Sequence, residues 1–139
     1  MSVNETTEAG SGLRLDTLSL GYGNRMVVEG LDLKIPSRAF TVLLGRNGSG
    51  KSTVLRACAG LLKPKGGAVL LAGKPLSRFG ARECARRIAI LPQGPAAPEG
   101  LTVSDLVRQG RYPHRSLFSR WSRADEEAVK EALELTGMA

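Results

Sequence analysis

The sequence predicts an α/β fold, a core of parallel strands with flanking helices joined to a subdomain of antiparallel strands. Three observations carry this. Ala39 to Leu44 (AFTVLL) is a short apolar run, the pattern of a strand buried on both faces. A glycine-rich loop follows it, then a helical repeat, and this order of strand, loop and helix is one that parallel sheets use. Ahead of it, two segments alternate apolar and polar residues, as strands with one wet face do.

Each element has its own local reason. Leu13 to Leu20 alternates, with Leu13 and Leu15 and then Leu18 and Leu20 apolar, so it reads as a half-exposed strand. Gly21-Tyr22-Gly23-Asn24 reads as a turn. Leu31, Leu33 and Ile35 alternate with Asp32 and Lys34 until Pro36 breaks the second strand. Beyond Lys51, Val54, Leu55, Cys58, Leu61 and Leu62 recur at helical spacing, and Pro64 stops the helix. Gly66 and Gly67 open a strand over Ala68 to Ala72, and Gly73-Lys74-Pro75 turns the chain.

The later part reads as more helical. Ala81 to Arg87 is a short helix, and Arg87 to Leu91 a strand ending at Pro92-Gln93. Gly94 to Gly100, with prolines at 95 and 98, is a loop. Thr102 and Asp105 have the spacing of a cap before a helix through Val107. Gly110 to Trp121 is irregular and basic. Ser122 and Asp125 repeat the cap ahead of a helix from Glu126 to Thr136. That helix sets Ala128, Val129, Ala132, Leu133 and Leu135 near one side, pairs Glu126 with Lys130, and stops at Gly137.

Composition bounds the function classes. A chain of 139 residues, 42% hydrophobic, is one modest domain or part of a larger one. No apolar run approaches the ~20 residues that span a bilayer. The start, MSVNETTEAGSG, lacks the basic-then-apolar pattern of a secretory signal, so a cytoplasmic location is expected, with residues 1–12 as a disordered tail and 13–139 as the folded part. Cys58 and Cys84 match no metal spacing, and Cys58 falls on the apolar helix face, where a thiol acts as a small hydrophobe. The net charge is +7. Its surplus lies among Arg78, Arg82, Arg86, Arg87, Arg108, Arg111, Arg115, Arg120 and Arg123, facing Glu83, Glu99 and Asp105. Such an interval suits nucleic acid, anionic lipid or a plain solvated surface; sparse aromatic interleaving favours the last.

The loop is the sharpest signal. Gly45 to Thr53, GRNGSGKST, fits G-x-x-x-x-G-K-[ST] with Gly45, Gly50, Lys51 and Ser52 at the fixed positions, the Walker A pattern. Glycines let the backbone close tightly, so successive N–H groups point inward as an anion nest. The following helix aims its positive end at the same place. Lys51 adds a cation for the outer phosphates, and the Ser52 hydroxyl suits Mg²⁺. The loop therefore predicts a P-loop NTPase core.

Further marks narrow this. Tyr22 stands in LGYGNR, GGAVLLAGKPL follows the loop helix, and the strand IAILPQ ends in Gln93. With GRNGSGKST, in this order, the chain resembles the nucleotide-binding subunit of an ATP-binding cassette (ABC) transporter over nearly everything after Leu13. The resemblance implies that Tyr22 stacks on adenine and that Asn47, Gly48, Ser49, Gly50, Lys51, Ser52 and Thr53 wrap the phosphates of ATP. It implies that Gln93 reaches Mg²⁺ and the attacking water, so that Lys51 and Gln93 are the catalytic residues, with Ser52 and Gln93 on the metal. LVRQGRYPHRSLF, holding the only histidine, His114, looks like the subgroup serving importers of iron–siderophore, haem and cobalamin type.

The implied activity is ATP hydrolysis that energises import, with iron–siderophore complexes first among cargoes. The implied partners are membrane-embedded permease subunits, a second copy in a head-to-tail dimer and, indirectly, an external substrate-binding protein. The implied location is the inner face of the plasma membrane. In the family, the basic interval belongs to the region that docks on the membrane subunits, and no nucleic acid is expected. The alternatives are a soluble ABC-family ATPase acting on nucleic acid or ribosomes, or a catalytically inactive nucleotide-binding fragment.

The sequence departs from the family's pattern in its later elements. It has no LSGGQ-like stretch, no apolar strand ending in Asp-Glu after Gln93, and no histidine at the switch position. The expectation is a partial nucleotide-binding domain, an N-terminal fragment that binds nucleotide weakly or not at all, turns over no ATP and tends to aggregate through exposed edges.

Overall fold

The computed structural model describes residues 12–91, 93–94, 100–116 and 118–138. The expected tail, Gly12 excepted, and most of the proline loop lie outside these residues. The chain divides into two units, between Cys84 and Ala85.

The first unit is built on a hairpin of β1 (Leu13–Tyr22) and β2 (Arg25–Ile35), turning at Gly23 and Asn24. Tyr22, expected in the turn, is the last residue of β1 and faces Arg25. After the loop come α1 (Lys51–Cys58), β3 (Gly66–Leu71) and β4 (Lys74–Pro75). The sheet order is β2-β1-β3-β4, with every pairing antiparallel. This is the expected antiparallel subdomain. Lys74 and Pro75, read as turn residues, instead form β4 against Leu70 and Leu71, and the turn is made by Ala72 and Gly73.

The broken alternation of β1 has a structural cause. Leu15, Leu18 and Leu20 are all fully buried, although Leu15 and Leu18 differ by three positions. The ladders to β2 and β3 both shift register after this point, and Thr17 sits at φ 46. A bulge inserts one residue, so the apolar phase resets and both halves of the strand face the core. The Thr17 amide, freed from the ladder, donates to Asp32 Oδ1 at 2.8 Å. Gly67, at φ 69, lies against the carbonyls of Asp16 and Thr17, where no Cβ fits.

The core under this sheet is Leu15, Leu18, Leu20 and Val69 on strands with Val54, Ala57 and Cys58 on α1. Burial raises the pKa of the Cys58 thiol, which suits a packing role over a reactive one. Helix α1 ends in a Schellman motif, with Gly60 at φ 72, its amide on Ala57 O, and the Leu61 amide on Arg56 O.

Two expected strands are not formed. Neither residues 39–44 nor 87–91 join a ladder among the described residues; Arg87 is the last residue of a helix and 88–91 are irregular. Phe40, Val42 and Leu44 are exposed, and from this run only Leu43 packs against the core. Apolar composition says that a run favours burial, but a strand also needs a partner edge for its amides and carbonyls. The order of apolar run, glycine loop and helix is kept, and the architecture is α/β.

The second unit is helical. A short helix, α2 (Ala81–Arg87), leads into it, followed by α3 (Val103–Gln109), a 3₁₀ turn over Tyr112–His114, and α4 (Arg123–Leu135). Both expected caps are complete capping boxes, Thr102 with Asp105 and Ser122 with Asp125. Gly137, at φ 68, closes α4 in a second Schellman motif. The expected Glu126–Lys130 pair is replaced: Glu126 takes Arg108 and the Trp121 indole, and Lys130 pairs with Glu134. Trp121 offers a strong neutral donor, and Arg108 a planar charged one, so they outcompete a flexible ammonium.

Candidate functional site

The loop from Gly45 to Thr53 connects the run 39–44 to α1, and its shape follows from its glycines. Gly48 and Gly50 hold φ 80 and φ 91, values that L side chains rarely adopt. Gly50 is buried, and a Cβ on it would stand 2.8 Å from Val28 Cγ2 and 3.1 Å from Val27 Cγ1. The end of the loop is therefore seated on β2. A Cβ on Gly45 would meet Ser49 Oγ at 2.8 Å. The Ser49 amide donates to Arg46 O at 3.2 Å, and the Val54 amide to Gly50 O at 2.9 Å, which starts the helix.

Lys51 spans the loop from within. Its Nζ donates to the carbonyls of Gly45 (2.8 Å) and Arg46 (2.7 Å). The loop thus curls around an ammonium group, at the end of α1 where amides lack helical partners. Asn47, Gly48, Ser49 and Ser52 are exposed, whereas Thr53 is buried. No acidic residue sits in the first turn of α1 to compete for these donors. Exposed amides, a positive helix end and a lysine in one concavity suit a polyphosphate.

Tyr22 belongs to the same unit and lies beside the loop. Its side chain is about half exposed. Thr53 and, secondarily, Arg56 hold its phenol below the usual pKa. A half-exposed ring suits stacking on a flat base. Lys65, from the approach to β3, donates from Nζ to the carbonyl of Gly23, the residue after Tyr22. Its own amide donates to Ser19 O at 2.9 Å. Sequence reasoning missed Arg56 and Lys65. Arg56 could have been found, because it stands one turn beyond Thr53 on the same helix face. Lys65 is 42 positions from Gly23, and no local signal links them.

The structure thus brings together Tyr22 and Asn47 to Thr53. Gln93 lies in a bend with Gly94 in the second unit and is exposed. Among the described residues no cluster of His, Cys, Asp and Glu forms a metal site, so a cation here would depend on Ser52 and the phosphates.

The basic interval is mostly engaged within the second unit. Arg111 Nε donates to Asp125 Oδ1 at 3.0 Å, Arg115 Nε lies 3.9 Å from Oδ2, Arg108 pairs with Glu126, and Arg123 with Glu127. Trp121 is flanked by Arg108 and Arg115 at 5.2 and 5.1 Å. Asp125 is buried, and its carboxyl pKa is lowered to about 2 by the hydroxyl and amide of Ser122, with Arg111 adding to this. Arg111, Pro113 and His114 of the subgroup stretch serve structure: Pro113 O accepts from Arg86 Nε at 2.6 Å, and the His114 amide closes the 3₁₀ turn on Arg111 O. The acids that answer these arginines lie in α4, beyond the stretch whose charge the sequence reading weighed.

Comparison with known proteins identifies relatives of the chain. A sequence model of the ABC transporter family matches residues 28–139. The chain is 52% identical over 126 residues to "Probable siderophore transport system ATP-binding protein YusV" of Bacillus subtilis, covering 91% of this chain and 46% of that one. It is 46% identical over 132 residues to "Ferric enterobactin transport ATP-binding protein FepC" of Escherichia coli, covering 95% and 49%. A solved "Structure of ATP binding subunit of ABC transporter" superposes with TM-score 0.72 at 28% identity, covering 92% and 51%. The chain spans about half the length of the relatives it matches.

Proposed function

The chain belongs to the ABC transporter family, and on that premise we propose that Gly45 to Thr53 with Tyr22 forms the ATP site of a subunit that energises import of iron–siderophore complexes. The observation that carries the reading is the loop curled around Lys51 at the start of α1. In this proposal the amides of Asn47 to Thr53 hold the phosphates, and Lys51 leaves the carbonyls of Gly45 and Arg46 for the outer ones. Tyr22 stacks on the base.

Mg²⁺ fits the donor set, since the exposed Ser52 hydroxyl is a hard oxygen ligand beside the phosphate cradle. When bound, it would supply neutralisation of phosphate charge, with Ser52 as the ligand that the first unit offers. Hydrolysis needs groups besides these, so turnover belongs to the whole protein.

The cargo class is supported by the relatives named for siderophore and ferric enterobactin transport. The proposed partners follow from the same names: permease subunits, a second nucleotide-binding subunit and, through the permease, a binding protein. Among the described residues no helix is long and apolar enough to cross a membrane. In this reading the permease holds the chain at the inner membrane face. The pairing of Arg108, Arg111, Arg115 and Arg123 with α4 carboxylates weighs against a nucleic-acid role, which needs free cations along one face.

The test is calorimetric titration of the purified chain with Mg-ATP. Lys51→Ala removes charge-assisted contacts worth about 1.5–3 kcal/mol, so binding is expected to fall roughly tenfold or more. Unchanged affinity in that variant would refute the assignment.

A further inference from the structure

Strand β2 carries one residue more than its partner where it passes the phosphate loop. Leu20 of β1 faces Val28, but the next residue, Gly21, faces Met26, so Val27 is the extra residue of a bulge. A regular strand sends neighbouring side chains to opposite faces, and a bulge re-aims them. Here two neighbours meet the same glycine. A Cβ on Gly50 would stand 2.8 Å from Val28 Cγ2 and 3.1 Å from Val27 Cγ1, with the Val27 carbonyl oxygen at 3.6 Å. Across the ladder the bulge lies against Gly21, which is buried and whose own Cβ would run into the Arg25 carbonyl. Gly50 is the last residue before α1, and its carbonyl accepts from the Val54 amide at 2.9 Å. Whatever fixes Gly50 therefore fixes the exit of the loop and the first turn of the helix together.

We propose that the bulge in β2 sets the phosphate loop, with Val27 and Val28 as its positioning residues, a role that rests on reading Gly45 to Thr53 as the ATP site. The valines act through Gly50. Amides that are aimed before the phosphates arrive need no ordering on binding, and affinity rises accordingly. The empty loop is also tied by Lys51 Nζ on the carbonyls of Gly45 and Arg46. Those ties are lost when the lysine turns to the phosphates, whereas the packing of Gly50 on β2 stays. The valine bed thus holds the loop in both states. It also has a shape requirement, since it admits a glycine and no larger residue.

The experiment measures amide hydrogen exchange in the ligand-free chain and affinity for two ligands, Mg-ATP and inorganic tripolyphosphate with Mg²⁺. In Val27→Ala and in Val28→Ala the Ser49 and Val54 amides are expected to exchange about fivefold faster. The Ala59 amide at the far end of α1 and the Lys65 amide on Ser19 O stay within about twofold of the parent. Both ligands weaken by the same factor, about fivefold, because the loop serves the phosphates and not the base. Gly50→Ala binds more weakly still. Adding Val28→Ala to it opens room for the methyl group, so the double variant binds tripolyphosphate more tightly than Gly50→Ala alone. Backbone strain at φ 91 keeps it below the parent. A general loss of stability would instead make the double variant worse than either single one. Val28 also packs against the core, so the same cycle is run with Val27→Ala, which decides the matter if Val28→Ala does not fold.

Parent-like exchange at Ser49 and Val54, or faster exchange shared equally by Ala59 and Lys65, would overturn the inference. So would parent-like affinity in both valine variants, or double variants no better than Gly50→Ala. A loss for Mg-ATP with tripolyphosphate unaffected would overturn it too, since the valines would then serve the base. Each of these results leaves the ATP reading standing. If the parent chain binds neither ligand, that reading fails first, and the positioning role falls with it.

Discussion

Leu15, Leu18 and Leu20 are fully buried beneath the first unit's sheet, against Val54, Ala57 and Cys58 of α1. Among the described residues of the second unit the buried ones are Asp125 and Val129, and the elements around them are tied by Arg111, Arg115, Ser122 and the Arg108–Trp121–Glu126 cluster. The first unit thus rests on apolar burial, which involves no titrating group. The second rests on directional charged bonds, which depend on protonation and geometry. The difference matches what each carries. The first unit seats a loop whose backbone must be held still for a phosphate chain. The second uses its arginines to bind its own helices together.

The comparison can be broken most forcefully in the first unit. Leu18→Ala empties a fully buried site, so chemical denaturation should show a loss of about 2–5 kcal/mol. A loss near zero would mean the sheet does not depend on this core. Gly50→Ala comes next. A methyl group at φ 91, 2.8 Å from Val28 Cγ2, combines backbone strain with overpacking, together costing about 2–4 kcal/mol. Nucleotide affinity should fall with it, and a crystal structure of the variant should show the loop lifted from β2.

The second unit answers to acid. The Asp125 carboxyl has a folded-state pKa of about 2, below the ordinary value of 3.8. A carboxyl depressed by folding contributes stability that is complete above its unfolded pKa and disappears as pH falls through the folded one. Near-ultraviolet circular dichroism of Trp121 should therefore change between about pH 4 and pH 2, and Asp125→Asn should abolish that dependence while weakening the unit at neutral pH. A pH-independent signal in the unaltered chain would contradict the assignment. The smallest effect is expected at Arg123→Ala. Its i,i+4 bond to Glu127 is solvent-exposed, so thermal melting should register about 0.3–0.5 kcal/mol at most.

Legibility followed the range of each signal. The Walker A spacing, both capping boxes and the stop at Gly137 act over a few residues, and each was readable where it stood. The helix expected to run to Pro64 instead ends at Cys58, because Gly60 takes the left-handed closing position first. The broken alternation of β1 also left its mark, since Leu15 and Leu18 differ by an odd number of positions, as a bulge requires. The exposed surface at Phe40, Val42 and Leu44 was not readable, because hydrophobicity alone cannot specify a ladder partner. The partner of Glu126 was misread for a related reason. A helix-local pair with Lys130 competes with Arg108 and Trp121, whose approach depends on how α3 and α4 fold together.

By itself the amino-acid order determined the phosphate loop, the family, the caps and the phase of the strands, because glycine conformational freedom, short-range capping bonds and side-chain periodicity all act between near neighbours. Only the tertiary structure decided that Gly50 rests on Val27 and Val28, that Lys65 reaches the carbonyl of Gly23, and that Asp125 gathers Arg111 and Arg115. Those contacts join residues separated by tens of positions or set on different elements. Their existence depends on packing and desolvation in the folded chain, which no local pattern encodes.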